Sequence, residues 1–308
     1  MKGFLFWKKH KLFFIPIFLC CTAIIFWLLT LFLNSQTQNL QIAQNPFPKF
    51  SSAAYPIIDS SYIPQISAES AYVMETISRV PVFAKNPTIR LSPASTTKIM
   101  TALVALDYYK LSDVLTIQRS YVEGSGLNLV KGEQFTFQSL LYAMMLPSAN
   151  DAAYAIADNY PGGMNGFVAK MNQKAKELHL VDTHYQDSAG LLDDGDFTTA
   201  HDLAILASVA MSDPTFAKVV DTKNTVISSL DGKYVYPLAN LNELLGLYGV
   251  IGVKTGYTDE AGQVLVTASR QNNHTFILVV MESVDRFADT EKLLQLIQNN
   301  VTYIPIKS

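Results

Sequence analysis

The order of elements along the chain predicts a mixed α/β domain: short strands, a block of helices, then strands again and a closing helix. Three observations carry this. Residues 71–75 (AYVME) and 80–83 are β-prone on either side of a turn, which is the pattern of a hairpin. Ile99, Met100, Leu103, Val104 and Leu106 recur at helical spacing. After position 250 strands return, at 250–254, in the alternating β-branched stretch 263–269, and in the near-continuous apolar run 275–281.

The remaining elements fill in between. Ser92 is placed to cap the first long helix and Pro93 to take its first position. Residues 138–160, 166–178 and 201–211 read as further helices, and 285–299 as the last. No repeat recurs at a fixed period. Terminal strands that pair around the helical block close the domain.

Composition removes several classes of function. Of 308 residues, 49% are hydrophobic and 16% charged, with a formal net charge of −3, and no basic tract lies outside the N-terminus. A nucleic-acid partner is therefore not expected. The two cysteines, Cys20 and Cys21, are adjacent in an apolar run, so no disulfide framework or thiolate metal site follows them. Leu19 and Phe18 before them do not suit a lipidation site. His10, His179, His184, His201 and His274 form no H-x-x-x-H pattern, so no metal is expected, and nothing points to a cofactor.

The run LFFIPIFLCCTAIIFWLLTLFL at 12–33 is uncharged and as a helix spans about 33 Å, enough for a bilayer core. Lys2, Lys8, Lys9 and Lys11 precede it, which keeps residues 1–11 cytoplasmic and sends the rest outward. Its length and the polar Asn34–Gln38 stretch after it favour an uncleaved membrane anchor over a signal peptide. Residues 34–66, rich in Gln, Asn, Ser and Pro, read as a tether, and 67–302 as the exported folded domain.

Three short motifs carry chemistry. Ser95-Thr96-Thr97-Lys98 is an S-x-x-K near a helix N-terminus. Its spacing puts a hydroxyl and an amine on one face, and a neutral lysine there can take the serine proton. Ser148-Ala149-Asn150 is an S-x-N after Pro147: a second hydroxyl to relay a proton, and an amide to orient a lysine and a substrate carbonyl. Lys254-Thr255-Gly256 ends a β-prone run; the cation and hydroxyl suit a carboxylate, and the glycine suits close approach of a substrate backbone. Alone, each fits a helix start or a strand-end turn. Together, in this order and in these local structures, they are a strong signal.

The stretches PASTTKIMTALVAL, MMLPSANDAAYAIAD and GVKTGYTDEAGQVLVTASR resemble the nucleophile helix, second motif and third motif of the low-molecular-mass penicillin-binding proteins, the serine D-Ala-D-Ala carboxypeptidases of peptidase family S11. DSAGLLDDGDFTTAHDLAILA is similar to that family's Gly-Leu loop and following helix. The resemblance runs over about 71–299. It implies a β-lactamase-like fold, an antiparallel five-stranded sheet flanked by helices with an inserted helical subdomain. It implies Ser95 as nucleophile, Lys98 as its base, and Ser148 as proton relay. Asn150 would hold Lys98 and the substrate amide, Lys254 and Thr255 would bind the terminal carboxylate beside Gly256, and the Ser95 and Tyr257 amides would form an oxyanion hole. The implied partners are a peptidoglycan stem peptide ending in D-Ala-D-Ala and β-lactam antibiotics as covalent inhibitors. Two alternatives share the fold. A class A β-lactamase would carry S-D-N and an E-x-x-L-N loop, and this sequence has neither. A non-catalytic sensor or wall-binding domain would bind without releasing D-Ala.

Overall fold

Residues 27, 30, 55–58, 62–120, 124–192, 195–298 and 300–304 are described by the computed structural model. The 12–33 run, apart from Trp27 and Thr30, lies outside them, as do Cys20, Cys21 and residues 34–54 of the stretch read as a tether. The elements in chain order are β1 (Tyr55–Ile58), β2 (Ser70–Glu75), β3 (Pro81–Lys85), a 3-10 turn (Ala94–Thr97), α1 (Lys98–Tyr108), β4 (Val114–Thr116), β5 (Gln134–Thr136), α2 (Phe137–Met145), α3 (Asn150–Asp158), α4 (Gly163–Glu177), α5 (Ala200–Met211), α6 (Pro214–Val220), β6 (Asn224–Ser228), β7 (Val235–Ala239), β8 (Val250–Thr258), β9 (Gly262–Gln271), β10 (His274–Ser283), α7 (Arg286–Ile297) and β11 (Val301–Ile304).

The main sheet is antiparallel, in the order β3-β2-β10-β9-β8, so the first hairpin and the last three strands meet as expected. Successive side chains on a strand point to opposite faces. On β10, Ile277, Val279 and Met281 enter the core shared with α1–α6. Phe276, Leu278 and Val280 enter a second core with Leu293, Leu294 and Ile297 of α7. Both faces are covered, which is why this strand reads as an unbroken apolar run and not as an alternation. The edge strand β8 ends in the third motif.

Several elements differ from the sequence reading. The 138–160 helix is two helices, α2 and α3, because the chain turns sharply at 146–149, where Ser148 has φ +63°. The Ser92 hydroxyl accepts a 3.4 Å bond from the Ala94 amide, and Ser95 lies in the 3-10 turn before α1, not in its first α turn. Part of the stretch read as a tether is folded: β1 pairs antiparallel with β11. The hairpin β6–β7 was not anticipated. Among the described residues no single helix is long and apolar enough to cross a membrane; α5 and α6 pass by composition only as a pair bent by 108°. Most of the α5 side chains are buried in the main core.

One buried carboxylate fastens the start of the domain to its end. Asp289 of α7 accepts the Ser67 amide (3.0 Å), the Ser67 hydroxyl (2.6 Å), the Ala68 amide (2.8 Å) and the Ser283 hydroxyl (2.7 Å). Burial pushes its pKa up, but the bonds from Ser67, Ser283 and the amides win and hold it below the ordinary value. Its stabilisation is thus present above the unfolded carboxylate pKa of about 3.9 and is lost as pH falls through the lower folded value. Asp289→Ala should cost roughly 2–4 kcal/mol in urea unfolding at pH 7, because it strands buried donors. The difference from wild type should shrink below about pH 4.

Candidate active site

The site forms where the 3-10 turn, the first residue of α3, the loop before α5 and the edge strand β8 converge. Helix α1 is buried from Lys98 through Ala105, so the Lys98 side chain has no route along its own helix to water. Its Nζ lies 2.8 Å from Ser95 Oγ, 2.7 Å from Asn150 Oδ1 and 2.7 Å from the Ala189 carbonyl oxygen. Burial lowers its pKa to about 7, against an opposing pull from Asp187 and Asp151. Ser95 itself is only partly buried, so the hydroxyl is within reach of a ligand while its neighbour is dry.

Two loops are held by buried aspartates. Asp151, the second residue of α3, accepts the amides of Leu127 (2.9 Å) and Leu129 (3.0 Å), and the Asn150 amide donates to the Ser125 carbonyl at 2.7 Å. Asp187 accepts from the amides of Ala189 (2.6 Å), Gly190 (2.5 Å), Leu191 (3.1 Å) and Leu192 (3.1 Å). Gly190 has φ +76°, and a Cβ on it would lie 1.9 Å from the Ala94 carbonyl oxygen. The loop therefore presses directly on the turn that carries Ser95.

Strand β8 closes the other side. A Cβ on Gly256 would stand 3.2 Å from the Pro93 carbonyl and 3.3 Å from the Ser95 amide nitrogen. The approach of the strand to the nucleophile turn thus leaves little room for a side chain here, a constraint additional to the substrate contact read from sequence. Lys254 is buried, with Nζ 3.0 Å from the Thr255 carbonyl. Burial, then Lys98, then Arg286 push its pKa well below the usual lysine value. Arg286 donates to the Gly256 carbonyl at 2.9 Å. A trans peptide sets a carbonyl and the following N–H in opposite directions, so this bond turns the Tyr257 amide away from Arg286. The Tyr257 side chain is exposed and donates to Asp259 at 2.9 Å. Ser148 Oγ is buried and has no hydrogen-bond partner among the described residues.

Of the residues singled out from sequence, Ser95, Lys98 and Asn150 are joined by direct contacts, and Gly256 abuts the Ser95 amide. Lys254 is close enough to Lys98 for each charge to oppose the other. The sequence reading missed the Ala189 carbonyl, Asp187, Asp151 and Arg286. A main-chain carbonyl leaves no trace in residue type. The aspartates and the arginine stand outside the three motifs, where ordinary caps and surface ion pairs look the same.

Residues 58–285 match the family model described as peptidase S11, D-alanyl-D-alanine carboxypeptidase. The chain belongs to that family. It is 36% identical over 253 residues to the D-alanyl-D-alanine carboxypeptidase of Streptomyces sp. strain K15, covering 75% of this chain and 87% of that one. It is 34% identical to the D-alanyl-D-alanine carboxypeptidase DacF of Bacillus subtilis, covering 74% of this chain but 61% of the relative, so this chain spans under two thirds of that protein. The crystal structure of the Streptomyces K15 DD-transpeptidase superposes with a TM-score of 0.73 at 35% identity, covering 76% of this chain and 98% of the other. The S11 fold, a five-stranded antiparallel sheet with helices on both faces, is the one described above.

The contact of Gly190 with Ala94 makes a stability prediction with its own control. Gly190→Ala should cost roughly 2–4 kcal/mol, since left-handed backbone and a backbone clash add. Gly132→Ala, at φ +94° with nothing within 4 Å, should cost only about 1–2 kcal/mol from the backbone alone. Denaturant unfolding of the two variants checks the difference.

Proposed function

We propose that this protein is a serine D-alanyl-D-alanine carboxypeptidase. It removes the terminal D-Ala of peptidoglycan stem pentapeptides through an ester on Ser95, and β-lactams acylate the same serine. The observation that carries this is the surround of the Lys98 amine. Its neighbours are a carbonyl oxygen and an amide oxygen, which only accept, and one hydroxyl, which can donate. A neutral amine has two hydrogens and one lone pair. The two hydrogens go to Ala189 and Asn150, and the lone pair is left for the Ser95 proton.

The steps follow from that. Lys98 takes the Ser95 proton as Oγ attacks the carbonyl carbon of the penultimate D-Ala. The oxyanion is held by the Ser95 and Tyr257 amides. Lys254, Thr255 and the neighbouring Arg286 hold the terminal carboxylate. Ser148, whose buried hydroxyl lacks a partner among the described residues, relays the proton held by Lys98 to the departing amide nitrogen, which returns Lys98 to the neutral amine. Water then hydrolyses the ester. Incubation with diacetyl-Lys-D-Ala-D-Ala should release free D-Ala. Intact mass spectrometry after penicillin should show one adduct, absent in Ser95→Ala. Rapid turnover of a chromogenic cephalosporin with no adduct would favour a β-lactamase, and an adduct with no D-Ala release would favour a sensor.

The base must be neutral, so acylation should rise with pH and be half-maximal near 7, not near the free-lysine value of about 10.4. Lys98→Met should lose acylation by roughly 10²–10⁴-fold at pH 7.5 while its thermal unfolding stays cooperative. A wild-type rate in that variant would remove Lys98 from this role.

We also place the domain outside the cytoplasmic membrane, anchored by the 12–33 run. Its uncharged length and the lysines before it support this, and Trp27 and Thr30 within it are helical, Thr30 donating to the Trp27 carbonyl at 2.7 Å. A truncated chain starting near Gln44 should be soluble and active; complete partition into membranes would overturn the single anchor.

A further inference from the structure

We propose that Asp187 is a positioning residue for Lys98, holding the 189–192 loop so that the lone pair of the amine is directed at Ser95. This rests on Lys98 being the base, and goes beyond it by naming what holds the amine in its working state.

The geometry has two parts. Asp187 is buried, and its two oxygens accept four successive backbone amides, those of residues 189–192. That wraps the loop around the carboxylate and brings the Ala189 carbonyl to 2.7 Å from Lys98 Nζ. Gly190 then meets the Ala94 carbonyl with no space for a side chain, so the loop sits directly against the nucleophile turn. Without the wrap one of the two obligatory acceptors of Lys98 is lost, and the lone pair is no longer confined to the Ser95 direction.

The second part is charge. The groups that face Lys98 are Asp187 from the loop, Asp151 from α3 and Lys254 from β8, with Arg286 of α7 acting on Lys254. The Tyr154 hydroxyl of α3 lies 3.5 Å from Asp187 Oδ2. Burial favours the neutral amine, and the aspartates oppose it, Asp187 first. Without these carboxylates burial would act unopposed and keep Lys98 neutral to a lower pH. Ser95 would then face a weaker base.

The test is the pH profile of acylation by penicillin in the full-length protein. Asp187→Asn removes the charge and keeps the shape. Its acid limb should move down by about one pH unit, so that it keeps a larger fraction of its own plateau at pH 6 than wild type does. Its plateau should fall roughly tenfold or more, because Ala189 is less firmly placed. Asp187→Glu should return the limb to the wild-type position. Should Asp187→Asn fail to fold, Asp187→Thr, uncharged but able to accept an amide, reads the same limb shift. A folded, uncharged variant with lowered unfolding midpoint and an unmoved limb would make Asp187 only a loop cap and overturn the proposal. A wild-type protein with no acid limb near 7 would instead overturn the reading of Lys98 as base.

Discussion

Lys98 is a lysine amine taken out of water, and the other parts of the site are arranged around that constraint. Moving an ammonium into the protein interior costs several kcal/mol even after relaxation, so the group gives up its charge near neutrality. A neutral amine still needs partners for its hydrogens. They come from distant parts of the chain: Asn150 from the head of α3 and the Ala189 carbonyl from the loop before α5. The sharp turn at Ser148 sets where α3 begins, and the fit of Gly190 on Ala94 sets where the loop stops. These tight backbone positions follow from a requirement set by one side chain.

The second lysine turns this from a static arrangement into a responsive one. Lys254 and Lys98 each oppose the other's charge. On the proposed reading, a carboxylate arriving at Lys254 favours its protonated form, and that charge in turn favours neutral Lys98. Recognition of the substrate terminus and activation of the base are then one coupled event. The exposed Lys233 has no such relation: its Nζ lies 4.9 Å from the Tyr234 ring centroid, and its pKa is shifted the other way, upward, chiefly by Tyr234.

Much of this was legible from residues alone. The strands β9 and β10 showed their period and their apolar content, and S-x-x-K, S-x-N and K-T-G each sat where local structure put them. What was hidden depended on tertiary context. The break between α2 and α3 is signalled by Pro147 and Ser148, but the apolar periodicity on either side runs on through it, and its sharpness shows only in the left-handed Ser148. The pairing of β1 with β11 joins segments nearly the whole domain apart, and the bland composition before Tyr55 reads as linker. Gly256 was singled out for close approach, and the protein neighbour it accommodates is the nucleophile turn. Ala189 acts through its main chain, to which sequence is blind.

The same contacts bear on why three shared motifs lead to a peptidase. Turning over a β-lactam ester calls for a carboxylate free to hold and deprotonate a water beside it. The two carboxylates whose charge reaches Lys98 are Asp187 and Asp151. Each oxygen of Asp187 accepts two loop amides; Asp151 accepts Leu127 and Leu129 on one oxygen and the Ala152 amide on the other. Neither can swing toward a water without releasing the loop that sets Ala189 or the one that borders Asn150. Freeing one for deacylation would disturb the acceptors that make Lys98 a base for acylation. These two carboxylates are committed to geometry, and neither is placed to drive water onto a Ser95 ester shielded by a tethered leaving group.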